Sequence, residues 1–205
     1  MCEPITPVEP RDPDLTGHRV SGIPVSWWQA EITQRGLPGE PPTTATLSRS
    51  EVWSATDDVF TLLWRSLAWG SGDRLRHAKH RLDAIAADVP ATKALLTRAK
   101  AAVGDPAQAY DVLRPSRRTA IKYLGPSFFT KFLYFAGGGD PQHRCLILDR
   151  VVATGLRRRG CDLPGLHPDG PWSTSTYVAY CDLLADWARD RGCAADQFEL
   201  ALFRA

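Results

Sequence analysis

Near the middle of this 205-residue chain lies the segment Leu124-Gly125-Pro126-Ser127-Phe128-Phe129-Thr130-Lys131-Phe132-Leu133-Tyr134-Phe135. Its Gly-Pro pair predicts a tight turn, and the aromatic and apolar run that follows predicts a helix. One lysine, Lys131, lies inside that helix among aromatic neighbours. An ammonium group in such surroundings costs free energy unless it is paired or used. Lys131 is therefore a candidate functional group.

A basic segment precedes the turn. We expect a helix there that Ser116 caps and that ends at Leu124. Together with the helix after the turn, it would form a hairpin over residues 116–137. Backbone N–H groups and the dipole at the start of the second helix favour a phosphate without reading sequence. The candidate backbone-binding residues are Gly125, Pro126, Ser127, Phe128 and Arg118. An ordinary corner between two helices explains the turn equally well.

Two interpretations also compete for Lys131. Desolvation would favour the neutral amine, which is a nucleophile, or the stem of the side chain could cover apolar surface while the ammonium reaches water. Asp149 follows the apolar run 145–148 and could face the same cleft. It also stands where an N-cap is expected for a helix that begins at Arg150. Because a carboxylate favours the ammonium form of lysine, we assign Asp149 the task of stabilising positive charge on a sugar as a glycosidic bond breaks.

Positive and negative charges nearly cancel over the whole chain, but the positive charges are unevenly distributed. The formal net charge is +2, so the whole chain gives no argument for nucleic acid. Arginines nevertheless cluster within residues 74–81, 114–118 and 157–159. A basic face of this kind suits a DNA footprint, and solvated helix faces would explain the same clusters.

The cysteines point to a reducing compartment. There are five, an odd number, and no Cys-x-x-Cys pair occurs. We therefore expect reduced thiols and neither a disulfide framework nor a zinc or iron–sulfur site. No leader is visible and no apolar run is long enough to span a membrane. The expectation is a cytoplasmic protein that associates with the nucleoid when it is bound to DNA.

The prolines divide the chain into two parts. Half of the 16 lie before residue 45, so residues 1–45 are predicted to form an irregular, proline-rich arm packed on the core. Trp27 and Trp28 would anchor this arm. From Ser48 onward apolar residues recur at helical spacing, beginning with the capping box Ser48-x-x-Glu51. No alternating strands stand out. Residues 46–205 are therefore predicted to be a helical domain, and the fold class to be all-α.

The hairpin, the lysine and the aspartate together resemble the helix-hairpin-helix superfamily of DNA glycosylases. The similarity is to its 8-oxoguanine glycosylase branch, in a short bacterial form, and it covers roughly residues 56–205. Residues 62–76 are similar to the helix and loop that fill the gap left by an extruded base. The hairpin reads Gly-Pro-Ser-Phe-Phe where the family commonly has Pro-Gly-Val-Gly. The gap-filling loop has no asparagine, so Ser71, Asp73 or Arg74 would serve in its place.

This resemblance implies catalysis by Lys131 and Asp149 on double-stranded DNA that contains a modified base. Lys131 would attack C1′ of a flipped nucleotide, and the Schiff base would lead to strand cleavage by β-elimination. The implied substrate is an oxidised purine, above all 8-oxoguanine. The aromatic candidates for stacking on the base are Trp69, Phe135, Trp172 and Tyr177, each of which a core position would also explain.

Two other functions remain open at this stage. One is a non-catalytic helix-hairpin-helix module that binds DNA, and the other is a glycosylase for another modified base. In each case we expect a monomer that needs no cofactor and no metal ion and has no membrane partner.

Overall fold

The computed structural model describes residues 2–54 and 58–205 and shows a helical protein in those ranges. Thr56, where the resemblance was expected to begin, lies outside them. The helices are α1 (Val25–Gln34), α2 (Arg49–Trp53), α3 (Val59–Ser71), α4 (Ala78–Ala86), α5 (Val89–Ala101), α6 (Pro106–Leu113), α7 (Pro126–Phe135), α8 (Arg150–Arg158), α9 (Thr174–Arg191) and α10 (Ala195–Arg204). The predicted all-α fold class is confirmed.

Two short strands were not foreseen. β1 (Arg19–Ser21) and β2 (Thr46–Ser48) pair antiparallel, with Val20 opposite Leu47. Strands of three residues are too short to carry a periodic signal that a sequence would reveal. Because β1 lies in the proline-rich arm and β2 leads into α2, the pair joins the arm to the helices.

Several helices begin and end where the sequence signals it. Ser48 and Glu51 form the predicted capping box of α2. Asp105 caps α6, and Ser173 caps α9 through the amide of Thr176. These side chains satisfy N–H groups that have no partner inside the helix.

The core is built around α3, which packs on α7. Trp69 of α3 packs edge-on against Phe135 of α7, and Leu63 and Phe132 on the same two helices are fully buried. On the other side of the core, α9 packs against both α6 and α10. The α3–α7 contact matters most for function, because it fixes the helix that carries Lys131.

A buried segment without regular structure connects α7 to α8. Residues 145–148 are almost inaccessible to solvent. The hydroxyl of Tyr177 donates to the carbonyl of Leu146 at 2.9 Å, and that of Tyr180 donates to the carbonyl of Ile147 at 2.7 Å. These bonds replace the partners that a neighbouring strand would supply. The segment therefore holds a fixed course up to Asp149.

The predicted basic helix over 116–124 is wrong. Pro115–Arg117 is a 3₁₀ turn and the residues up to Leu124 form turns and bends. Ser116, Arg117 and Tyr123 have φ angles of 49°, 65° and 65°, which no right-handed helix accommodates. Ser116 is therefore not a helix cap. The helix after the turn, by contrast, is confirmed as α7, with Pro126 in its first turn.

The arm is held against the helices at several points. Trp28 of α1 is fully buried, which confirms its predicted anchoring role. The guanidinium of Arg11 forms an ion pair with Asp196 of α10 at 2.8 Å. None of the helices in the described ranges has the length and apolar character needed to cross a membrane.

The prediction of fully reduced cysteines is also wrong. Cys2 and Cys161 form a disulfide, whereas Cys145, Cys181 and Cys193 are free. The two bonded cysteines are 159 residues apart, and only the folding of the arm back onto the end of α8 brings them together. Spacing along the sequence gives no sign of such a pairing.

Candidate active site

Lys131 and Asp149 lie in direct contact. Lys131 is in the second turn of α7, and its Nζ donates to Asp149 Oδ2 at 2.7 Å and to the carbonyl of Ser127 at 2.8 Å. The two side chains are 6% and 13% exposed. Lys131 therefore does not extend its ammonium into water, as the snorkelling interpretation requires, but points it at a carboxylate that is largely shielded from water.

Asp149 uses its two oxygens differently. Oδ1 accepts from the backbone N–H groups of Val151 at 3.0 Å and Val152 at 3.2 Å, which makes Asp149 the N-cap of α8. Oδ2 is left for Lys131. Burial by itself would raise the pKa of Asp149, but the Lys131 ammonium and the two N–H donors outweigh it and leave the pKa below its usual value. The group is thus a carboxylate anion at neutral pH.

Thr130 connects the two halves of the site. Its hydroxyl lies 2.8 Å from the carbonyl of Pro126 and 3.1 Å from that of Leu148, and it accepts from the N–H of Leu148 at 3.2 Å. Thr130 directly precedes Lys131, and Leu148 directly precedes Asp149. One buried hydroxyl therefore ties the helix that carries the lysine to the segment that carries the aspartate.

Gly70 makes room for the lysine. A Cβ atom at this position of α3 would lie 2.6 Å from Cδ and 3.1 Å from Cε of Lys131, far closer than the 3.5–4.0 Å at which carbon atoms pack. In the sequence, this glycine could be interpreted only as the end of a helix. Its contact with Lys131 could not be foreseen, because the packing of α3 on α7 is a tertiary feature.

A cleft of about 560 Å³ opens beside these residues. Of the predicted site residues, those that line it are Ser71, Arg74, Gly125, Pro126, Ser127, Phe128 and Trp172. Gly70 and Ser127 contact the Lys131 side chain and also belong to the cleft wall. The structure thus brings the hairpin turn, part of the gap-filling loop and one aromatic candidate to a single cleft next to the lysine.

The other predicted site residues lie elsewhere. Trp69 is 4% exposed and packs edge-on against Phe135, with ring centroids 5.2 Å apart. Tyr177 is fully buried under residues 145–148. These three aromatic residues belong to the core and do not line the cleft, so the prediction that they stack on a base is corrected. Asp73 and Arg118 are exposed and lie outside the lining.

A larger cavity, of about 920 Å³, lies away from this chemistry. Residues from the end of α9 and the start of α10 line it together with Arg11 and His143. Neither Lys131 nor Asp149 lines this cavity or the smaller cleft, but only the smaller cleft shares Gly70 and Ser127 with the contacts of the Lys131 side chain.

A comparison with protein families decides the identity of the chain. A family model described as "Putative 8-oxoguanine DNA glycosylase OGG-like protein" matches residues 13–203. The chain belongs to this OGG-like family. The match begins well before residue 56, so the family similarity includes most of the proline-rich arm. Searches of curated proteins and of solved structures found no match. Family membership supports an enzyme of DNA repair whose substrate is DNA.

The cleft of the OGG-like chain is rich in cations and aromatic rings. Arg74 and Arg76 are exposed at its lining, and His77 stacks on Tyr123 with ring centroids 6.3 Å apart. Arg81 also lines the cleft but is only 2% exposed. The described residues contain no group of three His, Cys, Asp or Glu side chains that could hold a metal ion. The three arginines of the cluster at 74–81 therefore all line the cleft.

Proposed function

We propose that this OGG-like chain is a DNA glycosylase and AP lyase that removes an oxidised purine, with 8-oxoguanine as its main substrate. The observation that carries the proposal is the 2.7 Å contact between Lys131 Nζ and Asp149 Oδ2 beside a cleft lined by the hairpin turn. A protein that only bound DNA would need neither a buried lysine nor a carboxylate aimed at it.

In this mechanism the target nucleotide leaves the base stack and enters the cleft, which costs a few kcal/mol and least for a damaged base. Phe128 is partly exposed and offers apolar surface to the base, whereas Trp172 is almost fully buried and forms part of the wall behind it. The backbone at Gly125 and Ser127 lies at the N-terminus of α7, where the helix dipole favours a phosphate. Ser71 and Arg74 line the same cleft and would fill the space that the nucleotide leaves in the stack.

The chemical step uses the two halves of the ion pair in turn. As the glycosidic bond breaks, its electron pair leaves with the base, which takes up the proton that Lys131 gives up. The Lys131 amine forms a bond to C1′, and the Asp149 carboxylate stabilises the positive charge on the sugar. Transfer of a proton from the nitrogen to the ring oxygen then opens the sugar and gives an iminium ion. Loss of a C2′ proton expels the 3′ phosphate and cleaves the strand.

The proposal is tested by single-turnover base release from a set of duplexes that each contain one altered base. We expect release of 8-oxoguanine by the wild-type protein, and none by Lys131→Gln. Lys93→Gln serves as the matched control, because Lys93 is an exposed lysine of α5 away from the cleft. Release of a different base would change the proposed substrate. Binding to duplexes with no release from any of them would leave only a DNA-binding module.

A further inference from the structure

Arg81 is a buried cation without a matching anion. It lies in the first turn of α4, its Nε donates to the carbonyl of Tyr123 at 3.0 Å, and its Cζ lies 3.9 Å from the centre of the Phe128 ring. Its Nη1 is buried and has no hydrogen-bond partner. A buried donor that remains unpaired costs free energy in the unbound protein.

The contrast with Arg49 shows how unusual this is. Arg49 is as deeply buried and its Nη2 also lacks a partner, but Glu199 accepts from its Nη1 at 2.6 Å and supplies the opposite charge. For Arg81, no carboxylate among residues 2–54 and 58–205 forms an ion pair. Desolvation lowers the pKa of Arg81 to about 10, so the guanidinium is still charged at neutral pH. The protein therefore keeps an uncompensated positive charge at this position.

The surroundings of Arg81 place that charge at the candidate active site. Arg81, Phe128 and Ser127 line the same cleft. Phe128 lies near Gly70, and the Lys131 side chain packs against this glycine. The Tyr123 carbonyl reaches Arg81 from a residue with φ of 65°. The irregular turn before α7, which replaces the predicted basic helix, thus fixes one edge of the guanidinium.

We propose that Arg81 binds a phosphate diester of the DNA strand beside the flipped nucleotide. This inference rests on the proposed function insofar as the cleft receives DNA. A phosphate is the anionic group that every nucleotide linkage carries, and a charge-assisted hydrogen bond from a partly desolvated guanidinium to it is strong. A keto group of the base would also accept from Arg81, but it is neutral and would leave the buried charge uncompensated.

The experiment measures equilibrium binding to a duplex that carries a tetrahydrofuran abasic analogue, on which a Schiff base cannot form. Wild type, Arg81→Met and the control Arg98→Met are compared over a series of salt concentrations. Arg98 is an exposed arginine of α5 that does not line the cleft. The same proteins are then tested on duplexes in which one phosphate near the analogue at a time is replaced by a neutral methylphosphonate.

We expect Arg81→Met to bind about tenfold more weakly and to reduce the slope of log K against log salt concentration by about 0.9, the value for one lost phosphate contact. One methylphosphonate should weaken the wild type and Arg98→Met but leave Arg81→Met unaffected. Thermal melting shows whether Arg81→Met is folded. Arg81→Lys, which keeps the charge over Phe128 but not the fork of donors, provides a second comparison and should weaken binding at that same linkage.

Other outcomes separate the two proposals. Wild-type affinity and slope in folded Arg81→Met, or no methylphosphonate-sensitive linkage in the wild type if Arg81→Met does not fold, would overturn the phosphate contact while leaving the glycosylase proposal intact. Weaker binding with no sensitive linkage would instead assign Arg81 to the base, and that would also overturn the inference. Failure of the wild type to bind any duplex would contradict the proposed function itself.

Discussion

The two carboxylate oxygens of Asp149 have different partners. Its Oδ1 caps α8 and its Oδ2 holds Lys131. The sequence allowed both tasks, and it could not show that the two oxygens divide them. The N-cap position follows from local pattern, whereas the contact with the lysine depends on the course of residues 145–148 through the core.

Replacing Asp149 separates the two tasks. Asp149→Asn keeps an oxygen for the cap but loses the charge, so we expect base release to slow by about 10²–10³-fold. Stability should fall by about 1–3 kcal/mol, because a buried ammonium loses its acceptor. Asp149→Ala should lose about 1 kcal/mol more, the usual value of a cap. Single-turnover kinetics and urea unfolding measure these effects.

Asp105→Asn is the control for this comparison, since Asp105 caps α6 in the same way without a lysine. It should change neither rate nor stability appreciably. Equal base release by wild type and Asp149→Asn would contradict the role given to the carboxylate.

The lowered pKa of Asp149 also predicts a pH dependence. A carboxyl group whose pKa is lower in the folded protein stabilises the fold above its unfolded pKa, and this contribution is lost as pH falls through the folded pKa. The stability difference between wild type and Asp149→Asn should therefore be constant near neutrality. It should decline below about pH 4, the ordinary aspartate value. Urea unfolding at several pH values measures it, and a difference that does not change down to pH 2 would contradict the assignment.

The space that Gly70 leaves for the lysine gives a further prediction. In Gly70→Ala, the added Cβ would collide with Cδ of Lys131, so we expect the amine to be displaced and base release to fall by at least tenfold, since small misplacements of reacting groups are costly. Alanine favours a helix by about 1 kcal/mol over glycine, which works against simple unfolding as the cause. The control is Gly104→Ala, where a Cβ meets nothing within 4 Å. Wild-type rates in Gly70→Ala would show that the lysine does not need this space.

Among the elements, α7 and the segment 145–148 form the unit that matters. Thr130 joins them through a buried hydroxyl that bonds to the backbone of Pro126 and Leu148. The position of Lys131 relative to Asp149 therefore depends on one side chain that touches neither reacting group.

Thr130→Val tests this coupling. Valine keeps the shape but leaves the N–H of Leu148 without its acceptor, so we expect a loss of about 1–3 kcal/mol in stability and a lower rate of base release. Thr154→Val is the control, because that hydroxyl bonds only within α8 as far as the structure describes it, to the carbonyl of Arg150. Differential scanning calorimetry and single-turnover kinetics provide the measurements. Unchanged values in Thr130→Val would mean that other contacts fix the site.

The elements also show where prediction from sequence succeeds. Helix starts with a capping side chain and apolar periodicity, such as those at Ser48 and Asp105, were predictable because their signals are local. The turns at residues 116–124 were not predictable, because the composition of this segment suits a helix. A left-handed backbone at three of its positions is incompatible with a helix. Arg81 and Gly70 acquire their roles from packing between α3, α4 and α7, which no local pattern encodes.

In the molecule as a whole, a disulfide and an ion pair attach the N-terminal arm to the helical domain. The disulfide joins Cys2 to Cys161 at the end of α8, and Arg11 pairs with Asp196 of α10. In the unfolded chain this disulfide closes a loop between residues 159 positions apart in a chain of 205, and a cross-link over so long a loop removes much conformational freedom.

Loss of the disulfide should therefore destabilise the protein without impairing its chemistry. We expect Cys161→Ser, or a thiol reductant, to lower the free energy of unfolding by about 2–5 kcal/mol. Base release well below the melting temperature should be unchanged, because neither cysteine lines the cleft. Cys193→Ser, at a free and partly buried cysteine, is the control. Equal stability with and without reductant would contradict the role of the disulfide.

The proposed function depends above all on a covalent bond between Lys131 and the sugar of a damaged nucleotide. Borohydride reduction during reaction with a duplex containing 8-oxoguanine, followed by mass spectrometry of the digested adduct, tests it directly. We expect one trapped adduct on the peptide that contains Lys131, also in Lys93→Gln and absent in Lys131→Gln. A trapped adduct on another residue, or full base release by Lys131→Gln, would contradict it.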